Sequence, residues 1–213
     1  MKKGEVKNPQ VPSEHYYRAG YDTKGRFASY WHQIDEIQSL ANGDILEVGP
    51  GNKFVSDYLR KRGYSITTMD IDPQLNVDII GSVDDIPCED NSFSVISCFE
   101  VLEHVPYPKA LQSLREMKRA SGQHVIFSVP DQNHAYWLRI RLPFIGEVSW
   151  NLSLERPIPL EKPAVEDQHF WEIGVQNYSL RRLKNDIKNI GFKISKTYRV
   201  PQNERHRLFV LSA

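Results

Sequence analysis

The segment Asp44-Ile45-Leu46-Glu47-Val48-Gly49-Pro50-Gly51-Asn52 constrains this chain more than any other. It reads as a buried strand that breaks at two glycines, and a helix pattern follows at once in Phe54-Val55-Ser56-Asp57-Tyr58-Leu59. The glycines let the backbone turn sharply and leave no Cβ between it and a ligand. The helix then points its unpaired N-terminal N–H groups into the same crevice. A second strand pattern, Ile66-Thr67-Thr68-Met69, ends at Asp70. That residue falls roughly 20 positions after Gly49, where a nucleoside-binding α/β unit places the carboxylate that takes the ribose hydroxyls.

The same residues narrow the nucleoside. A dinucleotide fingerprint requires a third glycine where this chain has Phe54, and no Gly-Lys-Ser/Thr of a P-loop occurs. What remains is Glu-x-Gly-x-Gly. A carboxylate at Glu47 would repel a pyrophosphate and suit a cation. S-adenosylmethionine carries a sulfonium and an amino group and no phosphate.

Two further stretches extend the pattern: Asp84-Asp85-Ile86-Pro87-Cys88-Glu89-Asp90-Asn91-Ser92-Phe93, and Phe99-Glu100-Val101-Leu102-Glu103-His104-Val105. With the glycine turn and Asp70, in this order over about residues 44–130, they resemble the class I S-adenosylmethionine-dependent methyltransferases, especially the type 11 group. The resemblance implies an α/β, doubly wound, Rossmann-like fold. Its seven-stranded, mostly parallel sheet would close on a C-terminal antiparallel hairpin. It also implies S-adenosyl-L-methionine as cofactor, held by Glu47, Gly49, Gly51, Asp70 and Ile71, with Ser82 and Val83 at the adenine ring and Phe99 near the methionine moiety. Asp84 is a substitute for the carboxylate that the family often places where this chain has Ser82. The implied reaction is an in-line displacement at the sulfonium methyl carbon, with a small molecule as acceptor. A non-catalytic S-adenosylmethionine-binding module and a nicotinamide-dependent oxidoreductase are the rival readings, the second disfavoured by Phe54.

Composition sets the remaining bounds. The length suits a single domain, residues 1–213, with a core that needs no staples. Its parts are an N-terminal arm (1–26), a cofactor-binding core (44–130), a lid-like insertion (131–177), and a C-terminal helix and hairpin (178–213). Lys+Arg and Asp+Glu both number 27, so no global basic field exists to hold nucleic acid, and none is expected as a partner. Cys88 and Cys98 lack metal spacing and read as free thiols, and no metal is expected. No signal peptide or long apolar run appears, so a soluble, cytoplasmic protein is expected.

Along the chain, residues 1–13 read as a mobile polar tail. Helices are expected over 27–40, 53–62 and 108–120, and after Ser179. Strands are expected over 65–71, 77–80, 93–99, 123–129, 192–200 and 206–211. Only Asp72 to Asn76 separates strands two and three, so the helix the family places there is missing. Residues 131–177, rich in proline and tryptophan, read as a structureless lid or binding loop.

Candidate chemistry beyond the cofactor falls on two places. His104 follows strand four at the carboxyl edge, where ligands bind in open α/β sheets, and its ordinary pKa suits a general base. The cluster Asp167-Gln168-His169-Phe170-Trp171-Glu172 puts His169 and Glu172 in the loop segment, facing the methyl group on this reading. The bland alternatives are a capped turn at His104 and a loop pinned by aromatic packing. The apolar stretch Ala135–Leu154 folds back as an ordinary lid by default; it could also line an acceptor pocket, dock a partner or, less favoured, rest on a membrane surface.

Overall fold

The computed structural model describes residues 11–165 and 168–213. Asp167, and the part of the expected tail over 1–10, lie outside the described residues. Seven strands form one sheet in the order β3-β2-β1-β4-β5-β9-β8. They are β1 (Ile45–Val48), β2 (Ile66–Asp70), β3 (Ile79–Ile80), β4 (Phe93–Phe99), β5 (Ser121–Pro130), β8 (Lys193–Val200) and β9 (Asn203–Ser212). The first five run parallel, while β9 lies antiparallel to β5 and to β8. The expected C-terminal hairpin is therefore present.

Alternation along the strands sends side chains to two faces. Ile45, Val95, Ile126, Leu208 and Val210 pack with Tyr30 and Ile37 of α1 (Lys24–Leu40) and with Val55 and Leu59 of α2 (Phe54–Lys61). Leu46, Val48, Ile96, Cys98, Val125 and Phe127 pack on the other face, with Leu114 and Met117 of α3 (Tyr107–Ala120) and Leu183 and Ile187 of α4 (Leu180–Asn189). The Ser179 hydroxyl caps α4 by accepting from the Arg182 N–H at 3.1 Å.

The chain leaves β1 outward to β2 and β3 and returns to β4 on the opposite side of β1. The order thus reverses between β1 and β4, and the carboxyl ends there splay around a crevice. Val48, Asp70 and Phe99, each the last residue of its strand, meet at this point. Between β2 and β3 stands a single 3-10 turn, Pro73–Leu75, in agreement with the short spacing read from the sequence.

The segment 131–177 differs from expectation. It is not structureless: β6 (His134–Leu142) and β7 (Gly146–Leu154) pair as an antiparallel hairpin in a sheet of their own. No helix among the described residues is long and apolar enough to cross a membrane.

Candidate functional site

The turn after β1 is built as the glycine spacing requires. Gly49, Gly51 and Lys53 all adopt positive φ (69°, 53° and 60°), a region open to glycine at little cost. The Gly49 N–H donates to the Met69 carbonyl at 2.8 Å, which ties the turn to β2. A Cβ on Gly49 would lie 2.3 Å from Val101 Cγ2, and one on Gly51 would meet the Tyr16 ring at 3.2 Å. The Asn52 side chain accepts from the Phe54 N–H at 3.2 Å and donates to Asp22 at 3.2 Å, so the turn is also bound to the segment before α1.

Gly49, Gly51, Asn52, Tyr16 and Val101 line a cavity of about 220 Å³ at the switch point of the sheet. All eight residues assigned to the cofactor from sequence lie on its wall: Glu47, Gly49, Gly51, Asp70, Ile71, Ser82, Val83 and Phe99. His104 lies there too, while His169 and Glu172 do not. Asp84 is also off the wall, a buried residue whose carboxylate accepts from the Ser82 hydroxyl and faces Lys109 at 3.8 Å. From there it holds the Ser82 hydroxyl in place.

The electrostatics of the wall favour a cation. Glu47 is buried in the middle of β1, and burial pushes its carboxyl up to about 7, partly offset by bonds from Ser56 and the charge of Arg60. Its Oε2 has no hydrogen-bond partner. An orphaned, buried carboxylate oxygen beside an open cavity fits a positively charged ligand group better than a phosphate. Asp70 ends β2 with Oδ1 accepting from the Asp72 N–H at 2.8 Å, and burial raises its pKa as well. A glycine cradle, a buried acid with one unpartnered oxygen and an acid at the end of β2 together suit S-adenosylmethionine.

Several wall residues were not found from the sequence. Tyr16, Tyr21 and Arg26 come from the segment read as an arm. The Tyr16 and Tyr21 rings meet edge to face at 5.6 Å, and Arg26 lies 3.9 Å over the Tyr21 ring. Together they cover the glycine turn. No periodicity marks this stretch, and two tyrosines before α1 and an arginine in its first turn do not by themselves signal a site. Glu100 and His206 also line the cavity. Glu100 has φ 53°, unusual for a residue with a side chain, and accepts from the Ser128 hydroxyl at 2.7 Å.

His104 sits at the end of a 3-10 turn, Leu102–His104. Its Nδ1 lies 3.0 Å from the Gln168 carbonyl oxygen, which can only accept, so Nδ1 carries a proton and Nε2 is the basic nitrogen of the neutral ring. Burial lowers its pKa, with His169 adding to the effect against the Gln168 bond. The His169 ring stands edge-on to His104 at 4.8 Å, and its Nδ1 lies 2.5 Å from Glu172 Oε1.

Glu172 itself is buried. Its Oε2 accepts from Gln132 Nε2 at 2.7 Å and from the Ala164 N–H at 3.2 Å. Burial would raise its pKa, but these bonds and His169 outweigh it and hold the carboxyl below the usual range. The neighbouring Trp171 donates its indole N–H to the Leu102 carbonyl at 3.0 Å, and the Phe170 N–H donates to the Glu103 carbonyl at 2.8 Å. The stretch 169–173 is therefore clamped onto the turn that carries His104. Loop pinning and contact with His104 are both realised, but Glu172 does not face the cavity. Glu103, His104 and His169 bring one possible ligand atom each within 4.8 Å of one another, a grouping that sequence spacing alone did not show.

Comparison with known proteins follows the same line. Residues 21–197 match the family described as "Methyltransferase domain". The chain is 27% identical over 120 residues to the ubiquinone biosynthesis O-methyltransferase of Hydrogenovibrio crunogenus, covering 49% of this chain and 50% of that protein. It is 31% identical over 121 residues to the Pseudomonas syringae pv. tomato protein of the same name, covering 49% and 52%. The chain thus spans about half the length of the curated relatives it matches. Among solved structures, the magnesium protoporphyrin IX methyltransferase of Synechocystis PCC 6803 with bound S-adenosylhomocysteine superposes with a TM-score of 0.61 at 13% identity, over 93% of this chain and 91% of that one. The 1,6-didemethyltoxoflavin-N1-methyltransferase of Burkholderia thailandensis gives 0.60 at 11% identity, over 94% and 83%. At these identities the structures speak for the fold.

Proposed function

The chain belongs to the methyltransferase-domain family, and on that premise we propose that it transfers a methyl group from S-adenosylmethionine to a small-molecule acceptor. One observation carries this reading. The eight residues that the sequence assigns to the cofactor line a single cavity at the sheet's switch point, and a buried carboxylate with one unpartnered oxygen belongs to that wall. When bound, S-adenosylmethionine supplies a methyl group already activated by its positive sulfur.

The residues divide the work by position. The turn Gly49–Gly51 allows close backbone approach, and Asp70 takes the ribose hydroxyls as charge-assisted acceptor. Glu47 offers negative charge to the cationic part of the ligand. Ile71, Ser82 and Val83 form the adenine side of the wall, and Phe99 lies toward the methionine end. His104, fixed by the Gln168 carbonyl, takes the proton that an oxygen or nitrogen acceptor gives up. His169 holds the His104 ring from the side, and Glu172 sets the proton of His169; both are positioning residues. Tyr16 and Tyr21 close the turn against water, which strengthens every charge interaction inside. The balanced net charge favours a small acceptor over nucleic acid.

Calorimetry with S-adenosylhomocysteine and with NAD(P) tests the cofactor. Saturable binding of the first and none of the second is expected; the reverse would reject the reading. Transfer of a labelled methyl group into a panel of hydroxylated and amino-bearing small molecules then separates an enzyme from a silent binding module.

A further inference from the structure

The β6–β7 hairpin has its two faces reversed. Its strands pair residue for residue from His134↔Leu154 to Leu142↔Gly146. Side chains alternate, so Tyr136, Leu138, Ile140 and Leu142 share one face with Val148, Leu152 and Leu154 of the other strand. Tyr136 is 57% exposed and Leu138 55%, and the other five range from 39% to 47%. At the tip, Phe144 and Ile145 are more open still, at 109% and 72%. The opposite face is the one turned to the body. There Ser153 Oγ accepts from Arg207 Nη2 at 3.0 Å, and the Trp137 indole nitrogen is buried. Antiparallel sheets normally bury the apolar face and wet the polar one. A two-stranded sheet is at best marginally stable in water, and a contiguous apolar patch of this kind marks an interface.

We propose that the occupant of this face is the same face of a second copy of this chain. The seven side chains and the two at the tip leave open on the order of 800 Å², taking ~150–250 Å² for a whole aromatic side chain and somewhat less for an aliphatic one. That matches the ~800 Å² per partner of a standard interface. Two such hairpins face to face make a four-stranded, two-layer sandwich with layers ~10 Å apart, and a twofold axis lets each apolar set meet its own copy. Such a contact has the apolar character of a homodimer interface. A lipid surface fits less well. Over 134–155, Arg139 and Arg141 are balanced by Glu147 and Glu155, so no basic excess draws the hairpin to anionic headgroups. The hairpin follows β5 directly, and Gln132 just before it holds Glu172, so the pairing would brace the clamp on His104.

Sedimentation equilibrium of the full chain over a wide concentration series tests this. The expected mass is twice the 24.7 kDa of one chain. The double variant Leu138→Lys/Ile140→Lys should return it to a monomer with the main sheet's thermal melt retained. Val148→Cys, on the apolar face, should cross-link to its copy on oxidation, and Arg141→Cys, on the opposite face, should not. This cross-linking pattern decides the matter if the double variant fails to fold. A monomer at every concentration overturns the proposal, whether or not it floats with phosphatidylcholine–phosphatidylglycerol vesicles. So does a dimer that survives the two lysines or cross-links through Arg141→Cys alone.

Discussion

His169 Nδ1 lies 2.5 Å from Glu172 Oε1, and the same carboxylate accepts hydrogen bonds from Gln132 Nε2 and the Ala164 N–H. A buried acid with three donors is a joint of the insertion. Glu172→Ala should therefore cost about 3 kcal/mol, from several buried bonds at ~1–3 kcal/mol each. The folded-state pKa is depressed, so the ionic part of this stabilisation is present above the unfolded value and lost as pH falls through the folded one. Thermal melts at pH 7 should show a larger loss than melts at pH 4. An equal loss at both would mean that the charge contributes nothing.

Glu47 has the opposite sign. Its folded pKa is raised from 4.5 to about 7, so stability falls as pH climbs through that interval and levels off above it. Glu47→Gln should stabilise the ligand-free protein at pH 8 by up to roughly 3 kcal/mol, at ~1.4 kcal/mol per pKa unit. A cationic ligand binds the ionised form, so S-adenosylmethionine affinity should rise from pH 6 to pH 8 in the parent and stay flat in Glu47→Gln. Calorimetry at the two pH values reads both slopes; parallel slopes would take Glu47 out of the binding site.

The fold, and the set of residues that meet on the cavity wall, are legible because strand, glycine turn and helix are local patterns, and because Asp70 and Phe99 each close a strand whose end the sheet brings to the switch point. The hairpin was less legible. Leu138, Ile140 and Leu142 alternate with Arg139 and Arg141, which is a strand signal. Pro143 and the three tryptophans of 131–177 argued for loop against it. The Tyr16–Tyr21 cover could not be read at all, since nothing local says that this segment folds over Gly51. Glu172 belongs in sequence to a long insertion with polar and aromatic groups clustered near the carboxyl edge of the sheet, which points it toward the methyl group; nothing local says that Gln132 and Ala164 fill its other oxygen.

Gly49 is constrained twice over, by φ 69° and by Val101 Cγ2 at 2.3 Å from a built Cβ. Gly49→Ala should lose stability, and Gly49→Ala with Val101→Ala should recover the steric part while the strain of the left-handed backbone, of order 1 kcal/mol, remains. Gly51→Val acts differently. Its Cβ would meet the Tyr16 ring, so the variant should displace the cover, weaken S-adenosylhomocysteine and keep the main sheet folded by circular dichroism. Normal affinity in folded Gly51→Val would show that neither turn nor cover touches the cofactor.

Asp70→Asn keeps a side-chain oxygen for the Asp72 N–H and removes the charge. It should weaken S-adenosylhomocysteine by about 1.5 kcal/mol, the low end for a hydrogen bond to a charged group. Asp70→Ala should weaken it further, because the turn bond at 2.8 Å is lost as well. If calorimetry finds both variants at parental affinity, the ribose lies elsewhere.

His104 is the test of whether the wall performs proton chemistry. Burial lowers its pKa below 6.5, so the ring is neutral and basic at pH 7. The acid limb of kcat/KM should then lie below 6.5, with activity lost as pH falls through the folded pKa. His104→Gln should cut methyl transfer by ~10²–10⁴-fold, the range of a general base, and leave cofactor affinity near parental. His169→Gln keeps the His104 ring but loosens its support. It should lower kcat by a smaller factor and move the acid limb upward, because His169 is one of the groups that depress the His104 pKa. A pH profile that His169→Gln leaves in place, with kcat equally unchanged, would make His169 part of the clamp and nothing more. An activity that His104→Gln leaves intact would mean that the acceptor needs no base in this site.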